Sequence, residues 1–471
     1  MSLLSSGSRR SLLGRIAAVA SAAALALTLA SCSEPLADSV DQSMETVLSS
    51  GLSSSAQTAA QAVIYAGKGV MIEIGDKQGA HAGWDMEQPE GSETTEEEVD
   101  PNGAHAGWDM EQPGDATEPG SESARAQEIV ANMTLEEKVA QMFFVTPEAI
   151  TGVGCATQAG PATYAALEQY PVGGLIYFGQ NLIDEGQTRQ MLANTQSYAQ
   201  EITGLPIFLG VDEEGGTVSR IGGNPGFPVS NVGNMCDVGA TGDTQYAHDV
   251  AVTIGTYLTD LGFNVDFAPD ADITDNPESW TMSLRSFGSS AEVAAPMVKA
   301  QVEGFTETGI LSCVKHFPGL GGAMGDSHDT SVYSYDTLEQ MQAQELRVFQ
   351  AGMEADVPFV MVGHLSVPNV TGDDIPSSVN PGVITGILRE QLGYDGLVTT
   401  DSLAMGAVVE RYGANEAALR AVEAGVDVLL MPADFQAAYQ AVIDAVWSGR
   451  ISVDRIVDSV ERIVETKLER L

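Results

Sequence analysis

From Arg125 onward the sequence alternates short apolar runs with amphipathic stretches, and that alternation leaves few folds open. Eight runs read as strands: 142–145, 174–178, 207–211, 264–267, 311–315, 359–362, 397–400 and 427–431. Most are apolar on consecutive positions, which marks strands buried on both faces, as in a parallel sheet. Between several of them lie helical stretches, at 187–202, 250–261, 291–308, 338–355 and 415–424. Eight such units predict an α/β chain built as a (β/α)8 barrel of TIM type with insertions over 125–471. A doubly wound sheet usually needs fewer strands and carries a phosphate-binding glycine turn after the first. None follows Val145. The 44% hydrophobic content suffices for a large core, and the 50 glycines fit many tight connections.

The N-terminal part reads differently. Arg9, Arg10 and Arg15 precede an apolar run at 16–29, the two parts of an export signal, too short to span a bilayer comfortably. Leu29-Ala30-Ser31-Cys32 follows and resembles the bacterial lipoprotein signal, in which the cysteine is lipid-modified and becomes the new N-terminus. The expectation is a signal peptide over 1–31 and a lipid anchor at Cys32, placing the protein on a membrane and facing outside the cytoplasm. Ser8-Arg9-Arg10-Ser11-Leu12-Leu13 keeps twin-arginine export open. Residues 32–124 are rich in Ser, Glu, Gly and Pro; between Ser33 and Ala124 stand 19 acidic residues against Lys68 and Lys77. Such a segment repels itself and buries little, so a largely disordered acidic extension is expected, with a reach on the order of 50 Å. It holds a duplicated 11-residue segment, at 79–89 and 103–113, which reads as duplicated linker or as a binding motif. The net charge of -44 argues against nucleic acid as a partner. Cys313, in an apolar run, reads as a buried thiol; Cys155 and Cys236 are open to pairing or not.

Polar motifs gather where the strand candidates end, which is where a barrel builds its active site. Asp212-Glu213-Glu214-Gly215-Gly216 follows Val211; Asp270 and Asp272, then Arg285-Ser286-Phe287-Gly288, follow Phe267. Lys315-His316-Phe317-Pro318-Gly319 leads to Asp326-Ser327-His328, while His364 stands past Val362 and Asp401 past Thr400. Together with Met133-Thr134-Leu135-Glu136-Glu137-Lys138-Val139, Pro171-Val172-Gly173-Gly174 and Phe267-Ala268-Pro269, these motifs occur in the order found in glycoside hydrolase family 3. From about Met133 to Leu471 the sequence resembles that family's single-domain β-N-acetylhexosaminidase branch.

The resemblance implies a retaining hydrolase. Asp401 would be the nucleophile, His328 the general acid/base and Asp326 the group that orients it. Asp212, Arg285, Lys315 and His316 would contact the sugar, with His364 in support. Retaining chemistry does need a carboxylate at the anomeric carbon and a group that first gives and then takes a proton. An aspartate can fix an imidazole's tautomer for the second task. Neither metal nor cofactor is expected, because the histidines lack close ligand spacing. The implied partner is a glycan with a terminal β-N-acetylglucosamine, and the protein is expected to act as a monomer. The sequence departs from the family pattern at Leu320, Asp270, Thr217 and Ser331-Val332. A β-glucosidase, a phosphorolytic member of the family and a non-catalytic glycan-binding lipoprotein are the alternatives.

Overall fold

Each of the eight apolar runs holds one strand: β1 (Phe143–Val145), β2 (Gly174–Ile176), β3 (Phe208–Val211), β4 (Val265–Asp266), β5 (Leu311–Phe317), β7 (Phe359–Val362), β9 (Leu397–Thr400) and β10 (Leu429–Leu430). In the computed structural model they pair in parallel in the order β10-β1-β2-β3-β4-β5-β7-β9. A parallel bridge between Thr399 and Val428 joins the two ends of that order and completes the (β/α)8 barrel. Two further strands, β6 (Val332–Tyr333) and β8 (Leu365–Ser366), pair with each other as a separate ribbon. The structure describes residues 121–274, 280–321, 323 and 331–471. The expected signal peptide, Cys32, the duplicated segments and the Asp326-Ser327-His328 loop lie outside the described residues.

Aromatic rings fill the barrel. Phe144 packs edge-on to Phe267 at 5.2 Å, and Phe208 does the same to Phe359 at 5.4 Å. Gly174 and Gly210 make room for this: a Cβ at either would stand 2.7 Å from the Phe144 ring. Outside the barrel, helix Leu135–Gln141 opens with a capping box, Thr134 accepting from the Glu137 N–H while the Glu137 carboxylate takes the Thr134 N–H. Helix Glu122–Asn132 packs against the C-terminal helix Val453–Arg470. At the N-terminal ends of the strands, Lys467 from that last helix is fully buried, with Nζ 2.8 Å from Gln141 Oε1 and 4.9 Å from the centre of the Phe208 ring. Cys313 is buried as expected, whereas Cys155 and Cys236 are free thiols.

Candidate active site

The end of β3 delivers Asp212, Glu213 and Glu214 together, and each does something different. Glu213 is fully buried and accepts five hydrogen bonds, from Ser219 Oγ, Tyr257 OH and the N–H groups of Arg220, Ile221 and Gly222. It thereby pins the loop that carries Arg220, whose guanidinium reaches to 4.0 Å from Asp212. Glu214 points instead at the cations of the site. Its two oxygens take Arg285 Nε at 2.7 Å and Nη2 at 2.8 Å, and one of them also lies 2.7 Å from Lys315 Nζ. Burial pushes the Glu214 carboxyl up, but Arg285 and Lys315 outweigh it and hold the group ionised, well below the usual range. Lys315, on β5, also donates to Asp212 Oδ1 at 2.9 Å. Burial alone would strip its proton; Asp212 and Glu214 keep it charged.

Past β4 the chain adds two buried carboxyls with opposite fates. Asp272 Oδ2 takes the Nδ1 proton of His316 at 2.7 Å, and Asp272 Oδ1 accepts from the Leu320 N–H. Burial disfavours charge on both partners, yet the pair holds the Asp272 carboxyl low and the His316 imidazole high. Asp270 is pushed up to about 8, by burial first and by the adjacent Asp272 charge second. Its Oδ1 accepts from the Asp272 N–H, and its Oδ2 sits 3.2 Å from Arg285 Nε. Asp266 is likewise raised well above the carboxylate range by burial. Lys315, Arg285 and His316 thus face Asp212, Glu214 and Asp272, while burial raises the two remaining carboxyls, Asp270 and Asp266.

Asp401 stands at the end of β9, half-buried, with Oδ1 accepting from the Ser402 N–H at 2.7 Å. Burial works to raise its pKa, but His316, His364 and that N–H prevail and leave it an anion. His364 bridges Ser378 Oγ (2.7 Å, from Nδ1) and the Ser402 carbonyl (2.8 Å, from Nε2). A carbonyl only accepts, so Nε2 carries a proton and ties the residue after Asp401 to β7.

Asp212, Arg285, Lys315, His316, His364 and Asp401 thus meet at one end of the barrel; Asp326 and His328 lie outside the described residues. The pairing roles of Glu213 and Glu214 were not foreseen. The signal for Glu214 was an acidic run closing β3 with Lys315 on β5 and Arg285 past β4 to pair with it. Among the described residues Asp270, Asp272 and His316 bring possible metal-ligand atoms within 4.8 Å of one another, which histidine spacing in the sequence did not suggest. Those atoms are already engaged, by the Asp272–His316 bond and by Arg285 beside Asp270, and a guanidinium there repels a cation. His248 is remote, 3.3 Å from Glu307 on the helical layer.

Residues 134–466 match the glycosyl hydrolase family 3 N-terminal domain. The chain belongs to glycosyl hydrolase family 3. It is 32% identical to β-hexosaminidase A of Pseudoalteromonas piscicida over 335 residues, which are 66% of this chain and 56% of that protein. With β-hexosaminidase LpqI of Mycobacterium tuberculosis it shares 31% identity over 350 residues, 72% of this chain and 84% of the relative. Among solved structures it superposes on a family 3 β-N-acetylglucosaminidase from Paenibacillus sp. FPU-7 with a TM-score of 0.67 and 36% identity, over 72% of this chain and 63% of that one.

Proposed function

We propose that the protein is a retaining exo-β-N-acetylhexosaminidase that hydrolyses terminal N-acetylglucosamine. One observation carries this reading: an anionic Asp401 faces the same barrel end as a paired Asp212–Lys315–Glu214–Arg285 network, in a family whose relatives are named β-hexosaminidase and β-N-acetylglucosaminidase. Lys315 and Arg285 have N–H groups to give to sugar hydroxyls, and Asp212 accepts. Because Glu214 fixes both cations, the sugar meets donors that need no rearrangement.

Asp401 attacks the anomeric carbon as the bond to the leaving oxygen breaks. The family pattern supplies His328 to give that oxygen its proton, with Asp326 holding the other ring nitrogen. A water then loses a proton to His328 and attacks the same carbon, releasing the sugar and restoring the Asp401 carboxylate. A neutral imidazole avoids the repulsion that a carboxylate base would meet beside an acidic N-acetylmuramic unit. That preference supports cell-wall fragments as the substrate, and the lipoprotein-like sequence at Cys32 supports an exported, lipid-anchored protein.

The test is hydrolysis of aryl β-N-acetylglucosaminide beside aryl β-glucoside, with Asp401→Ala and His328→Ala. The acetamido sugar should be preferred, and Asp401→Ala should lower kcat on the order of a thousandfold or more. Full activity in Asp401→Ala would refute the nucleophile, and preference for the glucoside would refute the substrate.

A further inference from the structure

We propose that Asp266 and Tyr257 are positioning residues for the sugar pocket: from behind the barrel wall they fix residue 213, and through it the two inward carboxylates on either side, Asp212 and Glu214. The inference rests on the glycosidase reading above. β3 and β4 pair as far as Val211 opposite Asp266, and beyond Glu214 the chain turns away through Gly215 and Gly216, both at positive φ. The Asp212-Glu213-Glu214 run therefore stands past the last strand pair. It nonetheless carries the carboxylates that hold Lys315 and Arg285.

Residue 213 is where the run is tied down. Its neighbours turn inward, Asp212 Oδ1 lying 2.9 Å and Glu214 Oε1 2.7 Å from Lys315 Nζ. Glu213 turns the other way, as alternation along an extended chain requires. There its Oε1 accepts from Tyr257 OH at 2.8 Å, and Tyr257 belongs to helix Thr244–Leu261 in the outer layer. The Glu213 N–H is held as well, by Asp266 Oδ1 at 2.9 Å, so a side chain on the next strand takes the place of a ladder carbonyl. Main chain and side chain of one residue are thus fastened to two different elements. A shift at either carries Asp212 and Glu214 with it.

Packing alone gives no reason for a carboxyl at position 266. Asp266 is fully buried, burial raises it well above the usual carboxylate range, and its Oδ2 has no hydrogen-bond partner among the described residues. Ser312, opposite it across β4 and β5, likewise leaves its Oγ unpartnered there. An apolar side chain would fill the same space without burying unmatched polar atoms. What Asp266 supplies and an apolar residue cannot is the acceptor for the Glu213 N–H. Tyr257 is matched to its task too: burial first, then the Glu213 carboxylate, raise its hydroxyl far above the usual range, so it stays a donor. Both groups therefore act on the pocket at one remove, by holding geometry that the sugar needs ready-made.

The experiment measures KM and kcat of the whole protein for an aryl β-N-acetylglucosaminide, with the folded fraction read by circular dichroism. Asp266→Ala should raise KM about tenfold and leave kcat per folded molecule within about threefold of wild type, the order expected for one lost hydrogen bond. Asp266→Asn keeps the acceptor and should bring KM back to within about twofold of wild type. Tyr257→Phe, which removes one donor and keeps the ring, should raise KM about threefold. Combined with Asp266→Ala it should depart from the product of the two single effects, because both act through residue 213. A smaller folded fraction with KM unchanged, an Asp266→Asn no better than Asp266→Ala, or strictly multiplicative effects overturn the positioning role and leave the glycosidase intact. A wild-type protein inert toward the aryl substrate overturns the glycosidase reading itself.

Discussion

Replacing Lys467 by Met should stabilise the protein, and by an amount that depends on pH. The lysine is buried at the strands' N-terminal ends, and neighbouring walls from Leu167, Val172, Ile202 and Ile207 offer no ionisable partner. Burial pulls its pKa from the ordinary 10.5 down to about 7. At about 1.4 kcal/mol for each tenfold change, the protonated form costs about 5 kcal/mol in the folded state. The Phe208 ring face, at 4.9 Å, and the Gln141 side-chain oxygen, at 2.8 Å, favour the cation but do not outweigh burial. Because the folded pKa lies below the unfolded one, the unfolded chain binds the extra proton between them, and wild-type stability rises across that window. The whole cost is present below about pH 7 and fades toward 10.5. Urea denaturation of wild type and Lys467→Met at a mildly acidic and a strongly alkaline pH reads the difference directly. The variant should lead by about 5 kcal/mol in acid, with the lead shrinking in alkali. A gap that does not change with pH, or a variant weaker than wild type in acid, would show that the buried cation is fully compensated and the reasoning wrong.

Two further outcomes concern the sugar pocket. Glu214→Ala removes the shared partner of Arg285 and Lys315 and should cost about 3–5 kcal/mol in urea unfolding. Glu214→Gln should raise KM for the aryl substrate more than it lowers kcat, and a wild-type KM would show that the cations are positioned by something else. Asp270 keeps its proton to about pH 8, whereas in the unfolded chain it is lost near the ordinary 3.8. Wild-type stability should therefore fall from Asp270 alone as pH climbs through that interval. Asp270→Asn, which cannot ionise, should gain on wild type over the same interval, and a constant difference from pH 4 to 8 would count against a protonated Asp270.

The barrel was legible in the sequence because most of its strands are apolar on consecutive positions, and the two-residue pairing of β10 lies inside the longer run Val428-Leu429-Leu430-Met431. The β6–β8 ribbon was not, since a pair of two-residue strands has no period to detect. Asp212, Lys315, His316 and Asp401 stand where apolar runs end, and Arg285 was picked out by the family resemblance of Arg285-Ser286-Phe287-Gly288. What could not be read is how they share charge. Glu214 meets Arg285 across 71 residues of sequence, and whether Asp270 ionises depends on its burial and on the charge of Asp272. Lys467 makes the same point in reverse: in sequence it belongs to an acidic and basic stretch that reads as solvated, Val-Glu-Thr-Lys-Leu-Glu-Arg, and only packing against helix Leu135–Gln141 and Phe208 turns it inward. Positions of chemistry are thus written locally, in residue type and strand end. The protonation states that make the chemistry work are properties of neighbours brought together from distant parts of the chain.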